Sequence, residues 1–236
     1  MLLEVRDLCI AYGDIQAVDG VSFHLEKGEL VSIIGANGAG KTSILNGIMG
    51  LIPSDQGSIH FQGKDITVHP AFRRARAGIR LVPERGRVFP RLTVMENLMT
   101  GIYGLRKKPD FEERLIWLYE LFPILREKQD DPAATLSGGQ QQQLSIARAL
   151  ISDPALLLVD EISMGLMPKL ADQVFDMLQS LNRDQGLTIL LVEQNAVASL
   201  AVSHRGYVLE TGACVHDGPA AELTADPRVK EVYLGG

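Results

Sequence analysis

Cysteine is scarce in this sequence: there are two, Cys9 and Cys214, and neither stands in a paired metal-ligand spacing. That excludes a disulfide framework, and both read as free thiols of a reducing compartment. Long apolar runs are missing as well. The purest, Ala155 to Val159 and Thr188 to Val192, are a strand long, far short of the roughly 18 residues of a membrane helix. Any link to a membrane is therefore expected to run through a partner. A basic excess is absent too: the net charge is -6, which argues against neutralising a nucleic-acid backbone, so no nucleic-acid partner is expected. The opening Met1-Leu2-Leu3-Glu4-Val5-Arg6-Asp7 puts charges where a signal peptide needs an unbroken apolar stretch, and export is not expected. What is present is an ordinary globular balance, 46% hydrophobic and 22% charged over 236 residues, enough for one large α/β domain with an insertion. No internal repeat or low-complexity tract stands out.

Leu2 to Ile10 and Val21 to Leu25 alternate loosely and read as half-buried strands. Leu30 to Ile34 is a short apolar run ending in a glycine-rich loop, followed by a helical pattern from Lys41 to Met49. Ile79 to Val82, Ala155 to Asp160 and Leu187 to Glu193 repeat the short apolar strand, so a mainly parallel sheet with helices on both faces is predicted. From about Glu84 to Ser152 strand signals stop, and helical segments at Val94 to Tyr103, Asp110 to Leu121 and Gly139 to Ile151 take over. The predicted organisation is a core of residues 1–84 and 153–236 with an inserted helical lobe at about 85–152. Arg205 to Glu210 and Ala213 to His216 flank Thr211-Gly212, which predicts a hairpin.

Gly35-Ala36-Asn37-Gly38-Ala39-Gly40-Lys41-Thr42 fits G-x-x-x-x-G-K-[ST] and lies between a predicted buried strand and a helix start, the context that motif requires. Its glycines let successive N–H groups face phosphate oxygens at a helix N-terminus. In this pattern Lys41 bridges the β- and γ-phosphates and the Thr42 hydroxyl ligates Mg²⁺; Ser43 follows in the same turn. ATP and Mg²⁺ are the expected cofactors.

Leu156-Leu157-Leu158-Val159-Asp160-Glu161 ends a buried strand in two carboxylates at the edge the phosphate loop must face. Asp160 is expected to hold Mg²⁺ through water, and Glu161 to polarise the attacking water as general base. The bland alternative is two acids that merely end a strand. Leu136-Ser137-Gly138-Gly139-Gln140 precedes a helical pattern with Ser137 placed as N-cap. It supplies backbone N–H groups and a hydroxyl but no lysine, so it can complete a phosphate cage but not build one alone.

In that order and spacing, the three motifs resemble the Walker A, signature and Walker B motifs of ABC-type ATPases, and the likeness covers essentially the whole chain. It implies a P-loop fold of ABC type: a mainly parallel core sheet, an N-terminal antiparallel β part and an inserted helical lobe. In that family the signature of one subunit, here Ser137, Gly138, Gly139 and Gln140, closes over ATP held by the other subunit's phosphate loop. A dimer with a second ABC ATPase is thus implied. Two membrane-spanning permease subunits above it, at the cytoplasmic face of the membrane, and indirectly an extracytoplasmic solute-binding protein, complete the implied assembly. The resemblance puts Tyr12 where an aromatic ring stacks on adenine; a strand-end aromatic packed in the core is the alternative. More narrowly, Val82-Pro83-Glu84, Arg87-Val88-Phe89-Pro90, Leu92-Thr93-Val94, Val192-Glu193-Gln194-Asn195-Ala196, Arg205 to Glu210 and Tyr233-Leu234-Gly235-Gly236 are similar to one of the two ATPase subunits of branched-chain amino-acid importers. Relatives that drive urea or amide uptake share several of these segments.

The chain also departs from the general family pattern. Glu84 stands where that pattern has a glutamine linking Mg²⁺ and water to the membrane partner, with Arg85 or Arg87 to offset its charge. Gln194 stands where a histidine contacts the γ-phosphate; it can donate an N–H but cannot carry charge. Ile162 replaces a usual proline, and Ser163 to Met167 lacks an aspartate, which suggests unequal sites in a heterodimer. A regulatory nucleotide-binding subunit with little turnover is the alternative reading, against which Glu161 weighs. Three features receive bland readings: Arg73-Arg74-Ala75-Arg76 as a solvated face; Trp117, Leu118, Leu121 and Phe122 as lobe core; and His24, His60, His69, His204 and His216 as lacking metal-ligand spacing.

Overall fold

The computed structural model describes residues 1–84, 86–105 and 109–229; Arg85 and the terminal Tyr233 to Gly236 segment lie outside them. The chain begins with β1 (Leu3–Tyr12), β2 (Ile15–Leu25) and β3 (Leu30–Ile34), then α1 (Lys41–Met49). β4 (Gln56–Phe61), β5 (Lys64–Asp65), α2 (Ala71–Arg76) and β6 (Ile79–Val82) follow. Next come α3 (Val94–Thr100), α4 (Phe111–Leu121), α5 (Pro123–Glu127), a 3₁₀ turn (Ala133–Thr135) and α6 (Gly138–Leu150). The last part alternates: β7 (Leu156–Asp160), α7 (Pro168–Gln185), β8 (Thr188–Glu193), α8 (Ala196–Val202), β9 (Arg205–Glu210), β10 (Ala213–Pro219), α9 (Ala220–Ala225) and α10 (Pro227–Val229).

Two sheets result. An antiparallel one runs β2-β1-β4-β5, and a second runs β10-β9-β3-β8-β7-β6, parallel except for the edge pair β9–β10. The expected fold class is the one observed. β3, β7 and β8 are buried at every position because both faces of the parallel sheet are covered, which is why they read as mostly apolar runs. Successive residues serve opposite sides: Leu157, Val159, Ile189 and Leu191 join one cluster with residues of α3, α6 and α7, whereas Leu156, Leu158, Leu190 and Val192 join another with Ile44, Leu45 and Ile48 of α1 and residues of β1 and β2. Between β6 and β7 the described elements are helical, apart from an isolated bridge of Thr93 with Pro132. Leu118 and Phe122 are buried there as expected, with Trp117 packed against the same cluster. The β9–β10 hairpin turns at Thr211 (φ 46°) and Gly212 (φ 85°), the double positive φ of a tight two-residue turn.

The sequence reading did not find β4, the strand that pairs with β1. It also misplaced one arginine. Arg73 is exposed as expected, but Arg74 is 3% exposed. Its guanidinium donates to the carbonyls of Gly47 (2.7 Å) and Ile48 (2.9 Å) at the end of α1, and to those of His69 (2.8 Å) and Thr67 (2.8 Å). The last carbonyls of a helix have no partner within it, and a buried cation there satisfies them and opposes the helix dipole. Replacing Arg74 by alanine is therefore expected to cost about 2–3 kcal/mol of stability, against less than about 0.5 kcal/mol for Arg73→Ala; urea unfolding of both variants checks the contrast.

Candidate nucleotide-binding site

The register of the parallel sheet brings the motifs together. Ile34 at the end of β3 pairs with Glu193 at the end of β8, and Asp160 at the end of β7 pairs with Val192. Three carboxyl ends thus finish level, and the phosphate loop, the acidic pair and Gln194 issue from one edge, where open α/β sheets bind ligands. The loop's course depends on glycine at two points. Gly40 has φ 102°, and a Cβ there would collide with the Ala17 carbonyl; a Cβ on Gly35 would meet the Leu209 carbonyl.

Lys41, the first residue of α1, is 3% exposed. Its ammonium lies 3.0 Å from Glu161 Oε1 and donates to the carbonyls of Gly35 (2.8 Å) and Ala36 (3.0 Å). The Thr42 hydroxyl donates to Asp160 Oδ1 at 2.9 Å. Burial pushes the Asp160 carboxyl up; the Thr42 hydroxyl and Lys41 pull it down, while the Glu161 and Glu84 carboxylates push it further up. Glu161 has φ 41° and donates its N–H to the Val192 carbonyl at 3.0 Å. A cavity of about 270 Å³ opens between these groups, lined by Ala17, Gly38, Gly40, Lys41, Thr42, Ser43 and Glu161. A lysine, a hydroxyl, backbone amides and a carboxylate around one cavity can bind a polyphosphate and move a proton beside it.

Other expected residues stand apart from this cavity. Tyr12 ends β1 with 47% of its surface exposed, so it is not packed in the core. Asn37 is exposed in the loop, and Gln194 is exposed one residue past β8. Ser137 caps α6 in a reciprocal box, its side chain accepting from the Gln140 N–H while Gln140 Oε1 accepts from the Ser137 N–H at 2.9 Å. Ser137 and Gly138 are exposed on the first turn of α6, with Gly139 beside them. Ile162 is buried with the α6 and α7 side chains. Two residues escaped the sequence reading. Asn97 is wholly buried and grips Phe89, accepting from its N–H (2.8 Å) and donating to its carbonyl (3.0 Å). Glu193 is buried at the end of β8, where a charged residue closing an all-apolar strand was the available signal.

The family model described as ABC transporter matches residues 18–163, more than half of the chain. The chain belongs to the ABC transporter family. The cassette is 45% identical over 225 residues, 95% of its length and 96% of the relative's, to the high-affinity branched-chain amino acid transport ATP-binding protein BraG of Pseudomonas aeruginosa. It is 35% identical, over 99% of its length and 97% of the relative's, to the lipopolysaccharide export system ATP-binding protein LptB of Escherichia coli K12. Among solved structures, the ADP conformation of an ATP-binding cassette of an ABC transporter superimposes with a TM-score of 0.84 at 29% identity, covering 100% of this chain and 99% of that one. The cassette is an ATP-hydrolysing subunit of a transporter, and nucleotide binding belongs to its family. Cassettes of this family dimerise and work with permease subunits. No described helix is long and apolar enough to cross a membrane.

Replacing Lys41 by alanine removes the cavity's buried cation. Hydrolysis is expected to fall by about 100-fold or more, read as phosphate release at saturating ATP; unchanged turnover would remove Lys41 from the site.

Proposed function

We propose that this cassette energises an importer of branched-chain amino acids from the cytoplasmic face of the membrane, paired with a second ABC ATPase beneath two permease subunits. An extracytoplasmic solute-binding protein delivers the solute to those permeases. The observation that carries the reading is the 45% identity to BraG along nearly the full length of both chains, joined to a site in which every Walker group is present. The nucleotide-binding core is residues 1–84 and 153–236, and residues of about 85–152 form the helical lobe that moves with the permeases.

In this reading ATP lies along the phosphate loop, with Gly35, Ala36, Asn37, Gly38, Ala39, Gly40 and Ser43 offering backbone N–H groups and Tyr12 stacking on adenine. Lys41 exchanges its Gly35, Ala36 and Glu161 partners for the β- and γ-phosphate oxygens. Freed of Lys41, Glu161 takes a proton from the water whose oxygen bonds to the γ-phosphorus as the bond to the ADP oxygen breaks. Gln194 donates an N–H to the γ-phosphate, and the partner subunit's signature, matching Ser137 to Gln140, closes the cage. The donor set suits Mg²⁺: Thr42 and Asp160 offer hard oxygen donors in contact with each other, and the Glu84 and Glu161 carboxylates act on Asp160 as well. Among the described residues no cluster of three or more His, Cys, Asp or Glu side chains could hold a metal, so Thr42, Asp160 and Glu84 would act together with phosphate oxygens. When bound, Mg²⁺ supplies charge neutralisation at those oxygens.

A groove of about 660 Å³ runs between α2, α3 and α6, with the exposed rings of Phe72, Phe89 and Tyr103 at its rim. Arg148 lies over the Phe89 ring at 5.3 Å and donates to the Arg87 carbonyl at 2.9 Å. An aromatic rim on a transporter subunit suits a permease segment, and Glu84, a few residues before Phe89, acts on Asp160, which offers closure on ATP a route to the membrane. Phe89→Ala is expected to weaken co-purification with the permeases by about tenfold, read in a pull-down from detergent-solubilised membranes. The likeness to LptB favours export as the second reading.

Reconstitution of both ATPases and both permeases in liposomes, with the solute-binding protein supplied on the side opposite the ATPases, separates the two. ATP-dependent uptake of labelled leucine is expected, with Glu161→Gln lowering hydrolysis by about 100-fold or more while trapping ATP-bound dimers. Brisk hydrolysis that moves no branched-chain amino acid inward would overturn the import reading.

A further inference from the structure

The Glu193 carboxylate is 1% exposed and reaches two loops at once. Its Oε1 accepts from the Ser163 N–H at 3.0 Å and its Oε2 from the Ser163 hydroxyl at 2.9 Å. The Asn195 backbone also lowers its carboxyl's pKa, and Glu193 itself is the residue before Gln194. Ser163 is two residues past Glu161, and Asn195 is the residue after Gln194. One buried side chain therefore joins the turn that carries Glu161 to the loop that carries Gln194.

The turn needs such a tie. Glu161 occupies the left-handed region, φ 41°, which a non-glycine residue holds only where its surroundings over-determine it. Its N–H bond to the Val192 carbonyl fixes one end of the turn, and the two Ser163 bonds fix the other. The residues beyond are exposed: Met164 and Met167 point to solvent, so the packing of this stretch stops at Leu166, half-buried against the α6 and α7 side chains. A buried carboxylate is costly unless hydrogen-bonded, and burial pushes that of Glu193 up while the two Ser163 hydrogen bonds and the Asn195 backbone pull it down. An apolar residue ending β8 would pack as well against the sheet but could not hold Ser163.

We propose that Glu193 is a positioning residue for hydrolysis, holding the Glu161 turn and the Gln194 loop as one unit so that the base sits correctly only when the Gln194 loop does. The inference rests on the reading of Glu161 as general base. Because it acts on placement rather than on binding, its loss separates turnover from affinity.

The test compares Glu193→Ala, Glu193→Gln, Ser163→Ala and the Glu193→Ala/Ser163→Ala pair in the full cassette with its partner ATPase, reading single-turnover hydrolysis, ATP affinity and Tm. Glu193→Ala is expected to slow single turnover about tenfold or more with ATP affinity within about twofold. Glutamine can accept from the Ser163 N–H and donate to its hydroxyl oxygen, so Glu193→Gln should recover to within about threefold. Ser163→Ala should lose about two- to fivefold, and the pair should be no slower than Glu193→Ala alone, the non-additivity expected of one interaction. Hydrolysis within twofold of wild type in Glu193→Ala, a loss matched by an equal loss of ATP affinity, or additive effects in the pair would each overturn the proposal. If Glu193→Ala fails to fold, Ser163→Ala decides: a selective loss of turnover supports the tie, and none refutes it. Glu161→Gln in the same assay keeps the two readings apart. If it still hydrolyses ATP, the general-base reading falls and the positioning role with it; if it is inactive while Glu193→Ala is normal, only the positioning role falls.

Discussion

The chemistry of this cassette depends on three parallel strands ending at the same height. β3, β7 and β8 are hydrogen-bonded neighbours around β8, and their registers set Ile34, Asp160 and Glu193 at one edge. A slip of one residue in β7 would turn Asp160 to the other face of the sheet and separate it from the Thr42 hydroxyl. Nothing local to the motifs fixes that register. It is set by the alternation of leucines and valines between two cores, so the packing of residues remote from the nucleotide decides where its ligands stand.

Charge at this edge is finely opposed. The Glu161 and Glu84 carboxylates act on Asp160, Glu161 also acts on Glu193, and the buried Lys41 ammonium lies 3.0 Å from Glu161. Its other partners are the carbonyls of the loop it belongs to. A polyphosphate arriving here competes with weak neutral acceptors for most of the lysine's hydrogen bonds and with a single carboxylate for the rest. That arrangement keeps the loop in shape and, in the proposed reading of Glu161, ties its release to the arrival of ATP.

The elements that sit between two layers were legible in the sequence, because burial on both faces leaves few polar positions and each strand shows as a mostly apolar run. Lys41 to Met49 was bounded correctly for a different reason: glycines flank it on both sides, at Gly40 and Gly50. β4 was not found because Gln56-Gly57-Ser58 opens it with three residues of low strand preference, and only Ile59 and Phe61 are buried. Arg74 was assigned to a solvated face because it stands in a basic run in a short helix-like segment; only the fold brings the end of α1 beneath it. Asn97 and Glu193 are polar residues whose partners lie outside their own elements, up to 30 residues away for Ser163; the charge closing β8 marks Glu193 as unusual, but nothing in the sequence names its partner. The glycine-rich loop and the capped turn before α6 were legible because both motifs fix particular residues at fixed spacing, whereas a buried tie needs only one suitable side chain at the right place in space.

The division of β7 between two cores has a consequence for how this sequence can change. Leu157 and Leu158 are adjacent, both wholly buried and chemically identical, yet one packs with the α6 and α7 side chains and the other with those of α1 and β1. A change in side-chain volume at Leu157 can be accommodated only by partners on its own side of the sheet, and the same holds for Leu158 on the other. The sheet thus acts as a partition between two histories of substitution: neighbours in the chain drift independently, while residues more than a hundred positions apart must drift together.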